Sequence, residues 1–246
     1  MITRMLSLVA GIVIVIGIAA ALLGFFWYYA AVIFVLALIV AVFGVWYMKG
    51  GAFERIRKKK LAAFPFESNQ SRILMIGSSS FEFWKTADQD LAPADVLNLG
   101  IGGTAIEHWT GYLDSTVVPY HPKGVMVYAG LNDFNTRANP QAVYEKMKEL
   151  LDALEQRLPG VTVLVLGLCP TVARASNWAD IQQFNALVDQ LCTSKPGYHF
   201  LDSTASILDN NGKLQKDIYR WDGMHYNDKG YACWVKSVKP AVEKYF

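Results

Sequence analysis

The sequence predicts an α/β domain on a parallel β-sheet, preceded by a two-helix membrane hairpin. Three observations carry this expectation. Residues 5–48 contain no charged side chain. After them, short β-rich runs alternate with helix-length segments, the pattern of a parallel sheet covered by helices on both faces. Small-residue turns follow the first three of those runs, and such sheets bind ligands beyond the carboxyl ends of their strands.

The hairpin comes first in the chain. As one helix, the 44 residues 5–48 would run roughly 66 Å, about twice the thickness of a bilayer core, and tilt does not absorb such an excess. Two spans are therefore expected, at 5–23 and 29–48. Gly24, Phe25, Phe26, Trp27 and Tyr28 form the turn, their rings suited to the membrane interface. A secretory signal is the competing reading, because Arg4, the apolar stretch and Ala19, Ala20 and Ala21 imitate its three regions. A buried hairpin in a soluble protein fits less well, since helices apolar all round leave no face for water. Lys49, Arg55, Arg57, Lys58, Lys59 and Lys60 follow the second span, while the turn carries no charge. The positive-inside rule then predicts a multi-pass membrane protein with two spans and its C-terminal domain in the cytoplasm, and Arg4 agrees because both ends of a hairpin share one side.

Composition narrows the partners. Of 246 residues 53% are hydrophobic, with the excess at the N-terminus, and the formal net charge is only +2. The basic run accounts for that charge without a nucleic-acid partner, and attraction to anionic lipid headgroups adds to its topological role. Cys169, Cys192 and Cys233 are odd in number and widely spaced, which fits reduced thiols and gives no zinc pattern. No metal or other cofactor is expected, and protein partners are left undefined.

Residues 49–70, mixed basic, aromatic and polar with Pro65 near the end, read as a juxtamembrane linker. A single domain, 71–246, follows. Its expected strands are 72–76, 96–99, 125–128, 161–166 and 199–201. Crossover helices are expected at 141–157 and 178–192, and a last helix after Asn227.

Four fragments carry chemistry: Gly77-Ser78-Ser79-Ser80, Gly102-Gly103, Gly130-Leu131-Asn132-Asp133 and Asp222-Gly223-Met224-His225. A serine hydroxyl attacks an ester only when a base removes its proton, and His225 is the candidate base for Ser79. Asp222, three residues earlier, fits a carboxylate that fixes the imidazole tautomer. The backbone N–H groups of Ser79 and Gly103 and the side-chain amide of Asn132 fit donors to a tetrahedral oxyanion. Gly103 permits close backbone approach, and a strand-to-helix junction at Ser79 adds the positive end of a helix. Each fragment alone has a plainer reading as a helix cap, a turn or an Asx-turn. The Asp222–His225 pair has the donors for a metal, but no second cluster supports one. His108, His121 and His199 are read as structural or surface residues. Met224, Trp221 and Trp84 are read as packing residues, with aromatics at a site mouth suited to an acyl chain.

Together the fragments resemble the SGNH, or GDSL-type, esterase and lipase family over roughly 73–231. Gly77-Ser78-Ser79 resembles the family's Gly-Asp-Ser block and carries its nucleophile onto Ser79, with Trp84 where many members have Trp. The stretch from Asn98 to Thr104 carries the oxyanion glycine onto Gly103, and Gly130-Leu131-Asn132-Asp133 carries the block asparagine onto Asn132. The run from Asp222 to Asn227, with Gly230 and Tyr231, resembles the last block and gives Asp222 and His225. Leu208 to Leu214 looks like the usual approach to it. Ser78 departs from the pattern by replacing an Asp that is not a triad member. The resemblance implies a three-layer α/β/α flavodoxin-like domain and metal-independent hydrolysis through an acyl-enzyme. Its spacing looks closest to the platelet-activating-factor acetylhydrolase-like branch. The expected function is a membrane-anchored serine esterase acting on a small-molecule or lipid-like acyl or acetyl ester. A catalytically silent membrane-tethered binding module and an acyltransferase to a sugar or alcohol are the alternatives.

Overall fold

The computed structural model describes residues 2–46, 51–135 and 139–246. Two compact units divide it, Met1–Ala52 and Phe53–Phe246.

The first unit contains one helix, α1, Ile2–Trp46. This corrects the expected hairpin: the helix continues through residues 24–28. The segment has no proline, and Gly24 costs only about 1 kcal/mol against alanine in a helix interior, too little to stop a helix with good formers on both sides. Phe25 and Tyr29, one turn apart, bring their rings to 4.5 Å. The large apolar side chains from Ile12 to Phe43 are exposed. The 33-residue stretch Gly11–Phe43 is long and apolar enough to cross a membrane, so α1 has the length and composition of a membrane anchor or a signal segment. Met48, the expected end of a second span, and Lys49 lie outside the described residues.

The segment expected as a linker is largely helical. Helix α2, Ala52–Ala63, places Phe53, Ile56 and Lys60 at near-helical spacing. Phe53 is buried, its ring 4.8 Å from that of Tyr112 and 5.3 Å from that of His108. Arg57 donates to Thr116 Oγ1 at 3.2 Å and stacks 4.9 Å over Tyr112. The basic run hides this docking face in the sequence, because charge draws attention to topology while Phe53 and Arg57 make the contacts.

Five strands form the sheet: β1 Ile73–Gly77, β2 Val96–Asn98, β3 Gly124–Tyr128, β4 Thr162–Leu166 and β5 Tyr198–Leu201. Their order is β2-β1-β3-β4-β5, and every pairing is parallel. Strands buried on both faces read as continuous apolar runs, and β1 and β3 contain no exposed residue. Helices α5 Ile106–Thr116, α6 Pro140–Arg157 and α7 Trp178–Thr193 pack side by side on one face. The other face receives the one-turn helices α3 Ser79–Glu82 and α4 Ala87–Asp90 and the long α8, Asp228–Tyr245. There Trp234 meets Tyr128 at 4.9 Å, Trp84 at 5.3 Å and Phe81 at 5.9 Å. The chain leaves β1 toward β2 on one side and returns to β3 on the other, so the crevice between β1 and β3 is the switch point where such sheets place ligands.

Candidate active site

β1 ends where backbone must pass backbone. At Gly77, φ is +154° and a Cβ would drive into the Tyr128 carbonyl, so glycine alone lets β1 and β3 approach here. Ser78 N–H then donates to that carbonyl at 3.2 Å, and the Ser78 carbonyl accepts from the N–H groups of Phe81 and Glu82 at 3.1 Å each. This turn starts α3 and leaves Ser79 half-buried at its first position. From α8, Tyr231 Oη donates to the Ser80 carbonyl at 2.9 Å and holds the turn from behind. Because α3 is a single turn, the macrodipole expected to assist Ser79 is small. Its contribution is instead a spare donor: among the described residues, the Ser79 N–H has no protein acceptor.

The loop before α8 supplies the partners. His225 Nε2 lies 2.8 Å from Ser79 Oγ, and His225 Nδ1 lies 2.6 Å from Asp222 Oδ2. Asp222 Oδ1 accepts the backbone N–H groups of Met224 at 2.9 Å and His225 at 3.0 Å. Partial burial works to raise the Asp222 carboxyl, but the ring of His225 and those two N–H donors outweigh it and hold the group down at about 2. An ionised Asp222 accepts only, so Nδ1 carries the imidazole proton and the Nε2 lone pair faces the serine hydroxyl. The loop closes tightly, with φ +64° at Gly223 and a 2.9 Å bond from its N–H to the Arg220 carbonyl. The Gly223 carbonyl accepts from Ala173 at 3.0 Å, tying the loop to the 3₁₀ segment Val172–Asn177. Phe83 meets the His225 ring edge-on at 4.9 Å.

The loop after β2 faces Ser79. Gly103 adopts φ +76° and borders open space, and among the described residues its N–H has no protein acceptor. The Asn132 amide donates one N–H to the Thr104 carbonyl at 3.0 Å, leaving its second donor available. Asp133 beside it is structural: its Oδ2 accepts the first N–H of α5 at 3.2 Å, and Lys146 lies 3.3 Å from Oδ1. One residue was not legible in the motifs. Glu82, one turn after Ser79, accepts the Gly102 N–H at 2.6 Å and so fixes the backbone immediately before Gly103. Its spacing of three from Ser79 is the only hint in the sequence.

Ser79, His225 and Asp222 thus form one hydrogen-bonded line, and Gly103 and Asn132 lie on the loops after β2 and β3 at the same sheet edge. His108 accepts the Ala105 N–H at Nδ1 at 3.1 Å, and His199 stacks on Tyr245 at 3.8 Å. Trp84 is buried as expected, whereas Trp221, expected to pack, is 99% exposed beside Asp222. The tight Arg220–Asp222 turn points it away from the core. No group of three or more metal-ligating side chains occurs among the described residues.

A doubly wound parallel sheet here carries a serine, a histidine and an aspartate joined by hydrogen bonds at its switch point, an arrangement that suits a hydrolase acting on esters. Within that class the chain belongs to the GDSL-like Lipase/Acylhydrolase family, whose profile matches residues 77–233. The fold is similar to a Streptococcus pneumonia structure provisionally described as a platelet activating factor. That match has 20% identity and a TM-score of 0.71, and covers 84% of this chain and 99% of the other. A GDSL-like lipase from Bacteroides thetaiotaomicron shares 18% identity at a TM-score of 0.62, covering 79% and 98%. A catalytic mutant of an acetylxylan esterase from Geobacillus stearothermophilus shares 14% at 0.58, covering 70% and 94%. In sequence, an N-acylneuraminate cytidylyltransferase from Escherichia coli is 23% identical over 175 residues, and the chain spans 41% of the length of that relative.

Proposed function

We propose that this protein is a membrane-anchored serine esterase that cleaves an acyl or acetyl ester through an acyl-enzyme. The observation that carries the reading is the continuous line from Ser79 Oγ through the imidazole to Asp222, at 2.8 and 2.6 Å. In the first step Ser79 Oγ attacks the ester carbonyl while its proton passes to His225 Nε2. Negative charge develops on the carbonyl oxygen, and the N–H groups of Ser79 and Gly103 with the free Asn132 donor are the groups that stabilise it. The imidazolium, held by Asp222, gives its proton to the leaving alkoxide. Water then repeats the sequence on the acyl-serine, with His225 again as base, and releases the acid. No step draws on a metal.

Helix α1 supplies the membrane anchor in this reading, and the basic residues from Arg55 to Lys60 support a cytoplasmic side for the catalytic unit. Trp221 supports an amphiphilic ester as substrate, because a fully exposed indole adjacent in sequence to Asp222 suits an acyl chain or a bilayer interface.

Fluorophosphonate labelling of the intact chain and of Ser79→Ala, with peptide mass spectrometry, tests the assignment. Label on Ser79, lost with ester turnover in the variant, is the expected result. Label on Ser78 or Ser80 would move the nucleophile, and folded protein that neither labels nor turns over ester would leave the silent binding module. Product analysis with competing alcohols separates hydrolysis from acyl transfer.

A further inference from the structure

A cleft lined in part by Glu82 lies apart from the line of Ser79, His225 and Asp222, none of which lines it. It has a volume of about 390 Å³, lies between α2, α3 and the end of β2, and is open to solvent on one side. Lys59, Lys60 and Lys85 reach its wall, and Ile56, Phe64 and Trp84 supply apolar surface. Among the described residues, none of the three lysines has a carboxylate within ion-pair distance. The only acid of α2, Glu54, is taken by Arg57 at 2.8 Å and Lys58 at 3.5 Å. Lys60 donates to the Asn98 carbonyl at 3.0 Å, which uses one of its three donors. Burial depresses Lys60 to about 8, with Glu82 opposing and Lys85 adding to the depression. Three ammonium groups against the single carboxylate of Glu82 leave an excess of positive charge around a half-open cleft.

We propose that this cavity binds a phosphate group, with carbon attached to that phosphate seated on Ile56, Phe64 and Trp84. A phosphate presents three terminal oxygens and up to two negative charges, which matches three ammonium groups better than the single charge of a carboxylate. The site is independent of the esterase reading. Its one structural link to it is Glu82, which lines the cavity and also accepts the Gly102 N–H.

Lys60 is the reporter for the test, since only a neutral amine undergoes reductive methylation. The full-length chain in neutral detergent is methylated near pH 8 with inorganic phosphate, or with micelles containing phosphatidylglycerol, and exposed Lys213 serves as internal control. At a ligand concentration ten times its Kd, mass action predicts about tenfold slower methylation of Lys60 and no change at Lys213. Lys85→Gln should abolish that protection. Protection by inorganic phosphate identifies a free-phosphate site, and protection by the lipid micelles alone identifies a headgroup site. Protection by neither overturns the proposal, as does equal protection by sodium chloride at matched ionic strength.

Discussion

Replacing Lys60 by methionine should stabilise the protein, by an amount that depends on pH. Burial lowers Lys60 from its ordinary 10.5 to about 8. A tenfold change in proton affinity corresponds to about 1.4 kcal/mol, so carrying the charged amine in this site costs about 3 kcal/mol near neutral pH. Removing the side chain also removes its 3.0 Å bond to the Asn98 carbonyl, which returns about 1 kcal/mol. The expected net gain is about 2 kcal/mol at pH 7, or roughly 4–8 °C in Tm for a domain of this size. The sign follows from proton linkage. A base whose folded pKa is depressed bears its full penalty below that pKa. The penalty is relieved as pH rises from about 8 toward 10.5, because there the unfolded chain binds the proton and the folded chain does not. The advantage of Lys60→Met over the parent should therefore shrink to near zero by pH 10. Thermal melts of both full-length proteins in detergent at pH 7 and pH 10, without phosphate, measure it. An unchanged Tm at pH 7, or an advantage that persists undiminished at pH 10, would refute the argument.

Four further outcomes are expected. Asn132→Ala should lower kcat by roughly 10²–10³-fold with little change in KM, the usual effect of losing one oxyanion donor, in steady-state assays on a soluble ester. Glu82→Ala frees the Gly102 N–H and should lower kcat by roughly ten- to a hundredfold, while Glu82→Gln keeps an acceptor oxygen and should recover most of it. A KM effect without a kcat effect, or no recovery in Glu82→Gln, would remove Glu82 from the positioning of the loop. Trp221→Ala should leave a soluble acetyl ester unaffected but slow vesicle-borne substrate by about fivefold or more, the loss of one partly buried indole contact. Cysteines at Ser7→Cys and Ala62→Cys should react with an impermeant thiol reagent from opposite faces of the membrane if α1 crosses as one helix. Reaction from the same face would restore the hairpin.

β1, β3 and β4 were legible as β-branched apolar runs closed by turns, whereas β2, with one Val, and β5, with no β-branched residue, were legible from their place in the alternation of strands and helices. Ser79, Asn132, Asp222 and His225 were legible as residue types at the right sheet edge, but their distances depend on Gly77, Tyr128 and Tyr231, which carry no chemical signature. Residues 24–28 misled because the thickness argument concerns a bilayer, while the continuity of α1 is decided by backbone propensity and a glycine too weak to break it. Phe53 and Arg57 were masked by the lysines around them. Trp221 was misread because a tryptophan is usually buried, and the turn from Arg220 to Gly223 that exposes it is visible only in three dimensions. Glu82 escaped because the oxygen it offers serves a backbone N–H, and backbone partners leave no trace in a motif.

Ser79 and His225 stand 146 positions apart in the chain. A contact of that range closes only after the intervening strands and helices have assembled, since its loop entropy must be met by the whole sheet. The reactivity proposed for Ser79 is thus a property of the completed domain, and no fragment should possess it. A fluorophosphonate applied along a urea series would serve as a folding gauge as well as a chemical tag. Its signal should vanish together with the global transition, in step with the emission change of the buried indoles Trp84, Trp109 and Trp234.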